Sequence, residues 1–160
     1  MIFVTGDMHG DYKIFKQPIY KNIKKSDTLV ICGDFGFIWT GDKNEKSVLD
    51  KLAKKNYTIC FVDGTHENFD LLAKYPVVEF CGGLAHKIRE NIYHLMRGQI
   101  FEIEGEKIFA MGGGESPDID IRFENNTWSK AEIPNSDEMK DGIRNLEAEK
   151  FEVDFIVTHE

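Results

Sequence analysis

Three short apolar runs, "IFVTGD", "TLVICGD" and "YTICFVDG", each close on glycine and aspartate, and this recurrence limits the available folds sharply. Runs of β-branched and aromatic residues that end in turn formers read as short strands buried on both faces. Helical stretches from about Tyr12 to Lys24 and from about Asn44 to Lys55 separate them. The order is therefore β-α-β-α-β, which builds a parallel sheet covered by helices. In such sheets ligands bind in the crevice beyond the carboxyl ends of the strands. The first of those ends, "VTGDMHGD", carries far more polar chemistry than a turn requires.

The middle of the chain changes character. "VVEFCGG", "AHKIRENIYHLM", "QIFEIEG" and "EKIFAMGGG" follow one another without helices, and "EIEGEKI" reads as a hairpin turn, so a second, more antiparallel sheet is expected from these segments. From Glu115 to Asn135 the chain is polar, contains Pro117 and Pro134, and reads as a long loop. Ser136 is expected to cap a helix that runs to about Lys150, with Asp137 and Glu138 in its first turn. "VDFIVTHE" is a last strand.

A chain of 160 residues with 41% hydrophobic content buries one core, so residues 1–160 are expected to form a single α/β domain. The net charge of -8 disfavours binding to a nucleic-acid backbone, which requires a basic face. The start "MIFVTGD" lacks the basic and apolar regions of a leader, and no run reaches the length of a membrane span, so a cytoplasmic protein without membrane contact is expected. Cys32, Cys60 and Cys81 show no CxxC spacing and read as reduced thiols.

Polar groups gather at the strand ends. Asp7 and His9 stand two residues apart, so with strand geometry they point to the same side and can share one ion. Asp34 follows the second strand, His66 the third and His159 the last. Carboxylate and imidazole without thiolate suit divalent ions, manganese first, with iron, zinc or nickel as alternatives. A carboxylate can bridge two ions about 3.5–4 Å apart, and Asp34 is the natural bridge. Such ions lower the pKa of bound water toward about 7 and offset the charge of a phosphate in its transition state.

"GDMHG", "GDFG" and "GTHEN", in that order, resemble the GDxHG, GDxxG and GNHE signatures of the calcineurin-like metallophosphoesterases, and "VTHE" resembles the later histidine motif. The resemblance implies a four-layer α/β/β/α sandwich and hydrolysis of phosphomonoesters or phosphodiesters at one or two divalent ions. It implies that Asp7 and His9 hold the first metal, that Asp34 bridges, and that His159 holds the second. His66 would contact the scissile phosphate or protonate the leaving group. Thr65 stands where the family has a ligand asparagine. Family members continue to a GHxH motif that completes both metals, whereas this sequence stops at Glu160, so a C-terminally incomplete version of the fold is expected. An uncovered edge of the second sheet would then favour self-association or a protein partner.

Other residues carry two readings each. Arg97 in "LMRGQ" offers a fork of donors for substrate phosphate, or is a solvated strand arginine. Gly112 to Gly114 let backbone approach a phosphate, or simply end a strand. Trp39 and Trp128 offer faces to a base, though core or rim packing is the cheaper explanation. His86 and His94 could replace absent ligands, but lie in alternating strand segments that favour exposed or core-edge positions. Two functional classes follow: a metal-dependent phosphoesterase acting on a phosphate-ester substrate, or a binding or inhibitory module that keeps the scaffold with weakened catalysis.

Overall fold

The computed structural model describes residues 1–125 and 127–159; Asn126 and Glu160, the last letter of the "VTHE" motif, lie outside them. Strands β1 (Ile2–Thr5), β2 (Thr28–Cys32) and β3 (Thr58–Val62) pair in parallel as their apolar runs require. Residues alternate across this sheet. Leu29, Ile31, Ile59 and Phe61 pack among Phe15, Leu49 and Leu52 on the helical side, while Val30, Cys60 and Val62 face the other way.

Strands β4 (Val77–Phe80), β5 (Gly83–Arg89) and β6 (Ile92–Leu95) depart from the sequence expectation. They extend the first sheet instead of starting the second, giving six strands in the order β1-β2-β3-β6-β5-β4. The reason lies in β6. Ile92 is buried among the helix-side residues and Leu95 among those of the opposite face, so β6 must sit inside a covered sheet, parallel to β3.

The second sheet contains β7 (Gln99–Ile103), β8 (Glu106–Met111) and β9 (Phe155–Thr158), in that order. The hairpin between β7 and β8 turns at Glu104 and Gly105, both at positive φ, as tight two-residue hairpins demand. Phe101, Ile103, Ile108, Ala110 and Val157 from this sheet meet Val30, Cys60, Val62 and Leu95 from the first, forming a core between the sheets. β9 runs parallel to β8 at the sheet edge, with Phe155 and Ile156 exposed.

Helix α1 (Pro18–Lys21) is one turn long, preceded by a single 3-10 turn at Ile14–Lys16. The expected helix from Tyr12 to Lys24 fails because Gln17, ahead of Pro18, is forced to extended backbone with ψ 149°. α2 (Lys43–Leu52) forms much as expected, capped by Asp42, which accepts the Glu45 N–H. α3 (Phe69–Leu72) is a short turn that the sequence reading lacks.

The supposed loop from Glu115 to Asn135 contains α4 (Ile119–Glu124) and a 3-10 turn at Lys130–Glu132. Buried Glu132 holds it together by accepting from Ser116 N and Oγ, Trp128 Nε1 and Arg122 Nη1. α5 (Ser136–Ala148) covers the second sheet, where Gly142 packs against Phe109 and Met111. Its cap is Asn135, not Ser136. The Asn135 amide oxygen reaches the N–H groups of Asp137 and Glu138, and Glu138 returns a bond to the Asn135 N–H, while Ser136 already lies in the first turn. Helices, six-stranded sheet, three-stranded sheet and α5 are four successive layers, in agreement with the sandwich that the resemblance implied.

Candidate metal centre

The loops after β1 and β2 are clamped main chain to main chain. Met8 and His9 both donate N–H to the Asp34 carbonyl, at 3.0 and 2.9 Å, and Gly10 donates to Phe35 O at 3.1 Å. The close approach needs glycine on both sides. A Cβ on Gly10 would stand 2.6 Å from Gly36 O, and one on Gly36 would stand 2.5 Å from Gly10 N. His9 and Asp34 both adopt left-handed backbone, φ 45° and 43°, an unfavourable state for such residues that clusters at functional sites.

These constraints bring Asp7, His9, Asp34, His66 and His159 together. Two groups of three could each hold a metal ion: His9, Asp34 and His66, and Asp7, Asp34 and His159, the ligand atoms of each lying within 4.8 Å of one another. Asp34 belongs to both groups, the position a bridging carboxylate requires. Its side chain is 3% exposed, against 47% for Asp7. Asp7 turns one oxygen toward His9 Nε2 at 3.5 Å and the other toward His159 Nε2 at 3.6 Å, so it serves both histidines rather than His9 alone.

His66 sits against the bridge itself. Its main-chain N–H donates to Asp34 Oδ1 at 2.8 Å and its Nδ1 lies 2.9 Å from Asp34 Oδ2. A carboxylate there fixes the proton on Nδ1 and leaves Nε2 as the outward atom. Thr65 Oγ1 lies 3.0 Å from the same Nδ1, so the hydroxyl is engaged with the imidazole.

The residues fit a divalent metal in donor chemistry and in packing. Carboxylate oxygens and imidazole nitrogens converge, and the buried Nδ1 atom of His159 has no hydrogen-bond partner among the described residues, as though its ring were oriented for Nε2. Glycines admit the ligands. A Cβ on Gly33 would fall 2.0 Å from the His159 ring, and one on Gly64 would fall 2.1 Å from Asp34 Oδ1.

Next to Asp34, Glu67 is buried, and one oxygen takes the Phe35 N–H at 2.6 Å. Burial pushes its carboxyl well above the usual range, and the backbone donor only partly opposes this. Glu67 therefore steadies the "GDFG" loop through that backbone contact.

Arg97 is not a free phosphate fork. Its guanidinium is buried and bonded to Asp63, Glu138 and the carbonyls of Ala131 and Glu132. Asp63 is equally committed, receiving His94 Nε2 at 2.9 Å on its other oxygen. Burial alone would raise the Asp63 carboxyl, but His94 and Arg97 outweigh it and hold it below the ordinary value. His94 is buried rather than core-edge, and His86 lies half-buried with its Nδ1 3.0 Å from that of His94. Gly112 and Gly113 pack on the Asp63 and Glu132 carbonyls, so the "MGGG" bend is structural. The sequence reading missed this ion-pair cluster, for which the aspartate of "CFVDG" was the one available signal.

Among the described residues, no helix is long and apolar enough to cross a membrane. Neither a curated protein nor a solved structure matches the chain. The sequence does match the family model described as calcineurin-like phosphoesterase, over residues 1–160. A shared aspartate between two histidine-bearing groups, at the ends of parallel strands in a four-layer sandwich, is what that match leads one to expect. The chain belongs to the calcineurin-like phosphoesterase family.

Proposed function

We propose that this chain is a metal-dependent phosphoesterase that hydrolyses phosphomonoester or phosphodiester bonds at a binuclear divalent centre, with manganese the favoured ion and iron, zinc or nickel as alternatives. The observation that carries the reading is the membership of Asp34 in both ligand groups. Asp7, His9, Asp34 and His159 would hold the ions, with Thr65 beside them. Divalent ions there would supply activation of water near neutral pH and neutralisation of phosphate charge.

The chain's own groups supply the rest. Asp34 holds His66 by two contacts, so the Nε2 edge of the imidazole is presented in a fixed orientation. From there Nε2 can donate a proton to the departing ester oxygen, while the carboxylate behind Nδ1 keeps the ring in that orientation. Arg97 is left out of substrate binding because its donors are spent on Asp63, Glu138 and carbonyls. The three free thiols suit a reducing, cytoplasmic setting. A protein partner or second copy would find exposed Phe155 and Ile156 on the edge strand β9.

One feature favours the weaker alternative of a binding or inhibitory module. The Thr65 hydroxyl is engaged by His66 and is a poorer ligand than an amide oxygen. Metal content per chain, measured with hydrolysis of 4-nitrophenyl phosphate and bis(4-nitrophenyl) phosphate, separates the two. Bound metal with chelator-sensitive turnover supports the enzyme; bound metal without turnover supports the module.

A further inference from the structure

A groove of about 230 Å³ lies beside the candidate centre, lined by Trp39, Phe69 and Trp128 together with Glu67, Asn68 and Asp70. Glu67 and Asn68 directly follow His66, so one wall of the groove continues the "GTHEN" loop. Both tryptophans are only partly buried, which leaves ring surface open to the groove.

Each wall is referenced to the same loop by hydrogen bonds. Asn68 Nδ2 donates to Trp39 O at 2.7 Å, and Glu45 takes the Trp39 N–H at 2.7 Å. On the other side, buried Arg122 donates to Thr65 O at 2.9 Å and to Thr127 O at 3.0 Å. Trp128 donates its main-chain N–H to Arg122 O, and its indole N–H goes to buried Glu132 at 3.0 Å. The buried cluster in the 115–135 segment therefore does more than close a loop. It fixes an aromatic face at a set position relative to His66.

We infer that this groove is a binding subsite for the planar base of a nucleotide whose phosphate occupies the neighbouring centre. The inference rests on the phosphoesterase reading for the position of the phosphate. Trp39 and Trp128 offer aromatic surface on which a heterocycle can stack, beside Phe69, whose ring already carries the Arg97 guanidinium, and stacking tolerates any base. On the same lining, the Asp70 carboxylate can accept from the exocyclic nitrogens of a base, and the Ser129 hydroxyl, whose oxygen takes the Ala131 N–H, keeps its proton for a ring nitrogen, while Thr127 already donates to Arg122 O. The volume suits one ring system rather than a drug-sized ligand. A net charge of -8 argues for a mononucleotide rather than a nucleic-acid strand, since a strand needs a basic track for its remaining phosphates.

The chain has two tryptophans and both line the groove, so tryptophan fluorescence reports on it selectively. Adenosine, which lacks phosphate and needs no metal, is titrated into the full chain with excitation at the red edge of the indole band. Saturable quenching is expected, weakened by about 5- to 150-fold in Trp39→Ala, the range for a lost stacking face. Trp128→Ala removes a bond to buried Glu132 as well, so the Trp39 variant, whose anchoring bonds run through its main chain, carries the test. With manganese present, the ratio of kcat/KM for adenosine 5′-monophosphate to that for ribose 5-phosphate should fall by the same factor in Trp39→Ala, through KM. No quenching by adenosine, or an unaltered ratio, overturns the subsite. Failure of every ester to be hydrolysed would instead count against the phosphoesterase reading, and the adenosine titration would still decide the groove.

Discussion

His66 and Asp34 touch twice, through the His66 main-chain N–H on Asp34 Oδ1 at 2.8 Å and through Nδ1 at 2.9 Å from Oδ2. One carboxylate thereby positions the imidazole that would serve the leaving group and belongs to both ligand groups. The two roles can be separated by substitution.

Asp34→Asn keeps the shape of the side chain and removes its charge. Manganese affinity should fall by more than the roughly 10–100-fold typical of outer-shell changes, because both ligand groups lose their shared member. Isothermal titration with manganese checks this; parental affinity and stoichiometry in the variant would refute the assignment of Asp34 as the bridge.

His66→Ala should lower kcat by about 10²–10⁴, the usual size of a lost general acid, while manganese stoichiometry stays at the parental value. Chelator should abolish turnover in the parent. A variant that loses one bound manganese would show instead that His66 is a ligand, a role its place beside His9 and Asp34 also permits.

His86 gives a pH dependence unconnected with the metal residues. Burial, then the neighbouring His94, pushes its imidazole down from 6.5 to about 4, with Asp63 opposing weakly. The unfolded chain therefore takes up this proton first as pH falls, and stability is lost between about pH 6.5 and about pH 4. His86 packs between Val77 on β4 and His94 on β6, so its protonation cannot be relieved by moving into solvent without breaking that pairing. Denaturant melts at pH 7 and pH 5 should show a smaller difference for His86→Gln than for the parent.

Asn135→Ala should destabilise the chain by about 1 kcal/mol, since it removes the oxygen that accepts from Asp137 and Glu138. Ser136→Ala should stay within about 0.5 kcal/mol of the parent. Thermal melts of the two variants test which residue caps α5; equal losses would count against the Asn135 cap.

The parallel strands and the gathering of the candidate ligand residues were legible because their signals are local. Asp7, His9, Asp34 and His66 follow the parallel strands β1 to β3 of the first sheet, and His159 follows β9 of the second, so each stands just beyond an apolar run. The assignment of β4 to β6 was not legible, since an alternating segment looks alike in either sheet, and only the burial of Ile92 and Leu95 on opposite faces decides. Arg97 was misplaced for a similar reason. Its partners Asp63 and Glu138 are distant in sequence, and nothing near "LMRGQ" announces them. The knot around Glu132 was hidden because a polar segment reads as loop whether its charges face water or one another.

Gly33 contributes no ligand atom, yet any side chain there would overlap the His159 ring. The position also has φ 95°, which other residues adopt only with strain. Metal affinity at the proposed centre would thus depend partly on a residue that coordinates nothing. A survey of variants scored by metal retention should rank Gly33 with the aspartates and histidines, and a redesign that copied only the coordinating side chains onto another sheet would reproduce the chemistry's inventory without its geometry.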